Sequence, residues 1–289
     1  MAAPEGKVPI LDSVGAAMRD WRANLKFNLI TGLIGAAALT LISFLSLSAA
    51  GNSSVAMLLS LASTVVGAFV FATFLGLYEY GPSRLRERLP SDGMRVWCAM
   101  AVVGFFLFIV CVVAGIPAFA LLMTALSPYY GEIEAVADDQ AAVFAIIERF
   151  AQENAGLILA VVLVYGVIWL LLTSRLYLAA PATVSAQKIL TFETWSWTKN
   201  NMLRICGARL LLLAPASILV FAVQALAGGA VGANAFDPNS VAAAIMANPA
   251  GYGLTIFIGH AFNFTLYRGL EAALSTYLYR GLRPSVTSP

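Results

Sequence analysis

Residues 251–280 are mostly apolar, yet they carry six side chains that can ionise or hydrogen-bond: His260, Asn263, Tyr267, Arg268, Glu271 and Ser275. At about 100° per residue these fall within an arc of roughly 140° on one helix. Ile258, Phe262, Leu266 and Ala273 stand opposite, a face that lipid would accept. Arg268 and Glu271 are three residues apart, so they can touch on a helix surface. Three further charges border apolar runs elsewhere: Glu79, Arg175 and Arg209. Two chemistries are open to this set of three arginines and two glutamates. It can be an ion-pair network that locks helix ends, because a desolvated network must be well paired. It can instead be an anion site, in which Arg175, Arg209 and Arg268 take a lipid phosphate through the planar fork of each guanidinium. A proton or ion path through Glu79 and Glu271 is a third use.

His260 is the chain's sole histidine, which excludes a multi-histidine metal site. Glu271 lies about 16 Å further along the helix, too far to complete a ligand set. A hydrogen bond to Asn263 or to a neighbouring helix is the simpler use of the ring, and a proton relay is the other. Three cysteines, Cys98, Cys111 and Cys206, stand in or beside apolar runs and suit neither a disulfide framework nor zinc. Neither Gly-x-Ser-x-Gly, His-Glu-x-x-His nor a phosphate loop occurs. The expectation is a non-enzymatic chain with no cofactor and no metal.

The elements that would hold these residues are membrane helices. Hydrophobic residues make up 60% of the 289, charged residues 11%, and the mean hydropathy is +0.84. Soluble domains carry about a quarter charged residues. The net charge of +2 and the lack of a basic, aromatic-interleaved run argue against nucleic acid. Six runs reach the roughly 20 residues a bilayer requires: 27–50, 55–80, 96–127, 155–180, 205–231 and 252–279. The first comes after a mixed-charge segment and is too long for a signal-peptide core, so it reads as a retained span. Gly51-Asn52-Ser53-Ser54 turns the first two spans into a hairpin. Gly32, Gly35, Ser60, Ser63 and Gly67 suit close contact between them. Pro117 and Pro215 interrupt the third and fifth runs, where a kink is expected.

The fold class is therefore all-α and polytopic, with six transmembrane helices and interfacial amphipathic helices. Residues 1–26 form an amphipathic segment, with Ile10, Leu11, Val14, Met18 and Trp21 as its apolar side and Asp12, Arg19, Asp20 and Arg22 as its wet side. Residues 27–280 form the membrane domain and 281–289 a short tail. Both termini and the connections after the second and fourth spans receive Lys7, Arg19, Arg22, Lys26, Arg84, Arg86, Arg88, Arg95, Lys188, Lys199, Arg204, Arg280 and Arg283. The opposite side receives Arg149 and a surplus of acids. By the positive-inside rule the termini are cytoplasmic. On the outer side, Ile133, Val136, Val143, Ile147 and Phe150 recur at helical spacing, predicting one amphipathic helix. Asp237-Pro238-Asn239-Ser240 predicts a second helix start, and Pro249-Ala250-Gly251 its end.

Arg22-Ala23-Asn24-Leu25 before the first span and Lys199-Asn200-Asn201-Met202 before the fifth each come after a tryptophan-bearing amphipathic stretch. Arg86 to Trp97 before the third has a similar basic character, so a unit of interfacial helix plus hairpin used three times would explain the layout. The stretch Val14-Gly15-Ala16-Ala17-Met18-Arg19-Asp20-Trp21-Arg22-Ala23-Asn24 resembles the start of a group of uncharacterised bacterial six-helix membrane proteins. So do Arg175-Leu176-Tyr177-Leu178-Ala179-Ala180-Pro181-Ala182 and Thr194-Trp195-Ser196-Trp197-Thr198-Lys199-Asn200-Asn201. That group includes the membrane domain attached to some glycerophosphodiester phosphodiesterases. The resemblance implies a six-helix fold in a bacterial inner membrane; the soluble phosphodiesterase domain has no counterpart here. Two functions are the expectations. The first is an accessory or scaffold protein of the inner membrane that contacts lipid, anionic lipid included, or a membrane-protein partner or a second copy. The second is a transporter or lipid-handling protein that uses the arginine–glutamate cluster. A solvated cavity reaching the polar stripe would separate the second from the first.

Overall fold

The computed structural model describes residues 7–49, 51–234 and 237–283. Residues 1–6 of the N-terminal segment and 284–289 of the tail lie outside the described residues. Regular structure among the described residues is helical, with no strand. In chain order the helices are α1 (Ile10–Ala23), α2 (Leu25–Ser48), α3 (Ser53–Tyr80), α4 (Pro82–Leu126), α5 (Tyr130–Ala135), α6 (Gln140–Glu153), α7 (Ala155–Arg175) and α8 (Ala179–Ala186). They continue with α9 (Glu193–Trp197), α10 (Met202–Ala230), α11 (Pro238–Ala247), α12 (Pro249–Phe262) and α13 (Gly269–Leu282). A π-helical turn, Asn263–Arg268, joins α12 to α13 without a break. Among the described residues, five helices are long and apolar enough to cross a membrane, or up to six if α11 and the helix after it, bent by 117°, count as one. The chain is compatible with a multi-pass membrane protein.

It divides into two compact units, Met1–Val102 with Ser174–Pro289, and Val103–Thr173. In the first, the core gathers on α13, where Leu270, Ala272, Ala273, Leu274, Leu278 and Tyr279 are buried. Its neighbours are α1, α3, α8 and α10. Ala273 was expected on a lipid face and is instead 1% exposed, because α13 is enclosed on nearly every side. Lipid tails offer no transfer gain to such a helix, so close packing holds it. Gly32 and Gly35 serve this end. A Cβ on Gly32 would meet Thr265 Cγ2 at 2.4 Å, and one on Gly35 would meet Val70 Cγ2 at 2.6 Å and the Phe264 ring at 3.2 Å. Gly32 thus admits the π turn rather than α3, and Gly67 has no atom near its would-be Cβ.

Helix α1 forms as its periodicity predicts, but its apolar side is spent on protein. Ile10, Val14, Ala17, Met18 and Trp21 pack into the core, against α10 and α13. Leu11 is the exception, 75% exposed. Asn201 Oδ1 accepts the Val8 amide at 2.8 Å, Arg204 donates to the Val8 carbonyl at 3.1 Å, and Trp21 Nε1 donates to the Thr265 carbonyl at 2.8 Å. The last of these reaches a carbonyl inside the π turn, where one extra residue per turn displaces the helical ladder.

Other boundaries differ from expectation for local reasons. Gly81 at φ 80° ends α3, and Pro82 opens α4 at once. The helix then runs through Arg86–Trp97 without the separate amphipathic element the repeat required. Helix α4 runs through Pro117, and α10 through Pro215. The break in regularity falls in the C-terminal helix instead, at the π turn. Asn248 Oδ1 accepts from the Gly251 amide at 2.8 Å, so Pro249 starts α12 rather than ending α11. Asp237 caps α11 through the Asn239 amide at 3.0 Å. Glu193 accepts from the Thr191 amide before α9, and the amides of Glu193 itself and Thr191 hold its carboxyl below the usual carboxylate range.

In the second unit the expected single amphipathic helix is two, α5 and α6, parted where Asp139 Oδ1 caps the Ala142 amide at 3.2 Å. Tyr129 meets Phe150 edge-on at 5.6 Å between ring centroids, and Arg149 pairs with Glu132.

Candidate functional site

The sequence grouped five charges, and the structure distributes them. Arg268 closes the π turn and Glu271 lies in the first turn of α13. Arg268 Nη1 donates to Glu271 Oε2 at 2.6 Å, with the side chains 36% and 13% exposed. Arg209, from α10, lies over the Tyr177 ring at 4.6 Å and donates to Ser174 Oγ at 2.7 Å. The Tyr177 hydroxyl donates to the Glu271 carbonyl at 3.2 Å. Arg209, Arg268 and Glu271 therefore share one neighbourhood with Tyr177 and Tyr267.

Glu79 and Arg175 belong elsewhere. Glu79 accepts from Arg280 Nε at 3.2 Å and from Ser185 Oγ at 2.8 Å. The same guanidinium donates to the carbonyls of Tyr78 and Glu79, the last turn of α3. Those carbonyls have no partner within the helix and carry its negative end, so a cation settles there. Arg175 stacks over Trp195 at 4.7 Å. The expected five-member network is in fact two clusters and a stacked arginine. A three-arginine anion site is not assembled.

Sequence reasoning missed the partner Arg280, which looked like a plain flanking charge. It also missed two buried polar pairs. Asp92, 0% exposed, accepts from the Tyr80 hydroxyl at 2.7 Å and from Arg95 at 3.3 Å. It lies within the stretch Arg86 to Trp97, which by sequence stands out only for its basic character. Asn28, also 0% exposed, exchanges hydrogen bonds with the Tyr78 hydroxyl at 2.9 and 3.1 Å. One asparagine inside an apolar run was the available signal.

The polar stripe of the C-terminal helix is divided by the π turn. One extra residue in that turn re-aims the side chains beyond it, so the constant 100° step that made a single stripe does not apply across it. Ser275 is buried, with its hydroxyl bonded to the Ala272 carbonyl. His260, Asn263 and Tyr267 line space along α10 instead. A groove of about 460 Å³ lies between α10, α11 and α12, with His260, Gln224, Thr255 and Tyr252 among its polar wall residues. A second cavity of about 210 Å³ shares Phe221 and Gln224 with it, and is bounded by Asn263 and Tyr267. Among the described residues, no Lys, Arg, Asp or Glu side chain lines either.

Five polar side chains here have unused hydrogen-bonding capacity, the hydroxyls of Tyr252 and Tyr267 among them. Gln224, His260 and Asn263 make no side-chain hydrogen bond to another described residue; His260 only stacks on Phe264, at 6.5 Å between ring centroids. Among the described residues, no three His, Cys, Asp or Glu side chains gather as metal ligands. The free thiols are Cys98, Cys111 and Cys206, the last at 3.2 Å from Ser174 Oγ. Comparison of the chain with protein-family models, curated proteins and solved structures finds no match.

Proposed function

We propose that this chain is a non-enzymatic accessory or scaffold protein of the bacterial inner membrane, with six spans and both termini cytoplasmic, that holds anionic lipid against its basic end. The observation that carries the reading is the commitment of the charges bordering the apolar helices to contacts within the protein. Arg268 is held by Glu271, Arg280 by Glu79, and Arg209 by Ser174 and Tyr177. These residues act as fasteners between helices. Arg84 and Arg86, by contrast, are exposed on the first turns of α4. They fit the inner headgroup layer, where each basic residue near an anionic surface adds about 1 kcal/mol.

The test is lipid retention. Protein released from detergent into a mass spectrometer should keep phosphatidylglycerol in preference to phosphatidylcholine. The double variant Arg84→Gln/Arg86→Gln should lose most of that preference, while Arg268→Gln lowers stability and leaves the preference intact. No preference in the parent protein overturns the reading. Loss of preference in Arg268→Gln favours the second reading, a lipid-handling protein whose arginine–glutamate cluster takes the phosphate, in which Arg209 and Arg268 would act without Arg175.

A further inference from the structure

We propose that the groove between α10 and α12, together with the smaller cavity that shares Gln224 with it, binds an uncharged, hydroxyl-bearing amphiphile, with its head held by Gln224, His260 and Asn263. The inference rests on reading the chain as a lipid-contacting membrane protein, but not on the basic end, which is a different surface.

Position comes first. His260 is 11 residues beyond Pro249, the first residue of α12, about 16 Å along the helix. Half of a bilayer's hydrocarbon core is about 15 Å. Polar groups at that depth have little bulk water to satisfy them, and an unpaired buried donor or acceptor is costly. Other polar side chains near this level are already bonded to helix carbonyls. Ser217 donates to Leu213, and Thr255 to Gly251 and Ala227. Across α12 a further cleft is lined by Ser43, Ser46, Ser60 and Ser63, and the hydroxyls of Ser43, Ser46 and Ser63 donate to carbonyls of their own helices. Gln224, His260 and Asn263, like the Tyr252 hydroxyl beside them, make no such bond and have their capacity turned to open space.

The chemistry of the three defines the ligand. A carboxamide and an imidazole both donate and accept, and hydroxyl groups do the same. With no charged side chain on the walls, a phosphate or ammonium head would enter without a counter-charge, which is expensive at this depth. A neutral polyol or glycerol head would not incur that cost. Phe221, Val241 and Ile256 supply an apolar wall for chains, and a groove of about 460 Å³ falls in the usual range of ligand sites. Gly259 lets Gln224 lie across α12, since a Cβ there would meet Gln224 Nε2 at 2.8 Å.

The experiment compares two probes with the same chains, dioctanoylglycerol and dioctanoyl phosphatidic acid, added to the full chain in nanodiscs of phosphatidylcholine. Dioctanoylglycerol should be retained about tenfold better. Gln224→Leu should reduce its retention about tenfold, the loss of one hydrogen bond. Gly229→Leu provides a second variant that keeps the fold, because no atom lies within 4 Å of a Cβ at Gly229; its side chain should fill the groove and abolish retention. Equal retention of both probes, better retention of phosphatidic acid, or indifference to both variants would overturn the proposal. Loss of phosphatidylglycerol preference in Arg84→Gln/Arg86→Gln, with dioctanoylglycerol binding unchanged, would keep the two sites distinct.

Discussion

Glu271 is 13% exposed and receives Arg268 at 2.6 Å, so its replacement measures what an inner ion pair contributes. Glu271→Leu leaves a guanidinium over the rings of Phe71 and Tyr267 without its carboxylate. Breaking a fully buried pair costs about 3–5 kcal/mol. With Arg268 36% exposed, solvent relieves part of this, and about 2 kcal/mol is expected. Phe262 is 39% exposed, and Phe262→Leu should change stability by less than about 0.5 kcal/mol. Thermal unfolding in detergent compares the two; equal midpoints would mean that Glu271 is solvated. The Arg268–Glu271 pair could be read from sequence because three-residue spacing on one helix fixes adjacency. Glu79 with Arg280 could not, because their distance depends on how the ends of α3 and α13 pack, and 201 residues separate them.

At the scale of elements, the glycines of α2 and α3 have different jobs. Gly32→Ala would drive a methyl into Thr265 and should cost about 1–3 kcal/mol, the usual range for overpacking. Gly67→Ala meets nothing within 4 Å and should gain about 0.5 kcal/mol from reduced backbone freedom. A pair of detergent melts decides it, and a similar loss in both would mean that α3 carries a contact at Gly67. Apolar run length made most long helices legible. Small-residue spacing marked Gly32 and Gly35 as close contacts but could not name the partner, since periodicity describes one helix at a time. The π turn was also hidden, because it depends on Trp21 and Gly32 from other helices. The start of α12 was misread for a simpler reason: Pro249 serves equally to end one helix and begin the next.

For the whole molecule, the proposed orientation is open to direct labelling. In a background without Cys98, Cys111 and Cys206, an impermeant maleimide applied from outside should modify Asp138→Cys and Asn239→Cys. It should leave Arg86→Cys and Lys199→Cys untouched, and the inverse pattern would reverse the topology. Ser285, an equally natural probe site on the tail, lies outside the described residues.

The docking of α1 also sets a clock. Val8 is joined to Asn201, and Trp21 to Thr265, 244 residues later in the chain. At 5–20 residues per second, the first helix waits roughly 12–50 s on the ribosome before its last partner exists. During that interval Ile10, Val14, Met18 and Trp21 lack the surface that α13 supplies, and the bilayer interface or an insertion factor must shelter what α10 leaves uncovered. Synthesis of the last helices is thereby registered at α1. A chain terminated after Ala230 should leave α1 incompletely docked and open to trypsin at Arg19 and Arg22, whereas the 289-residue chain should resist cleavage there. Equal resistance of the two would mean that α1 docks before α12 and α13 are made.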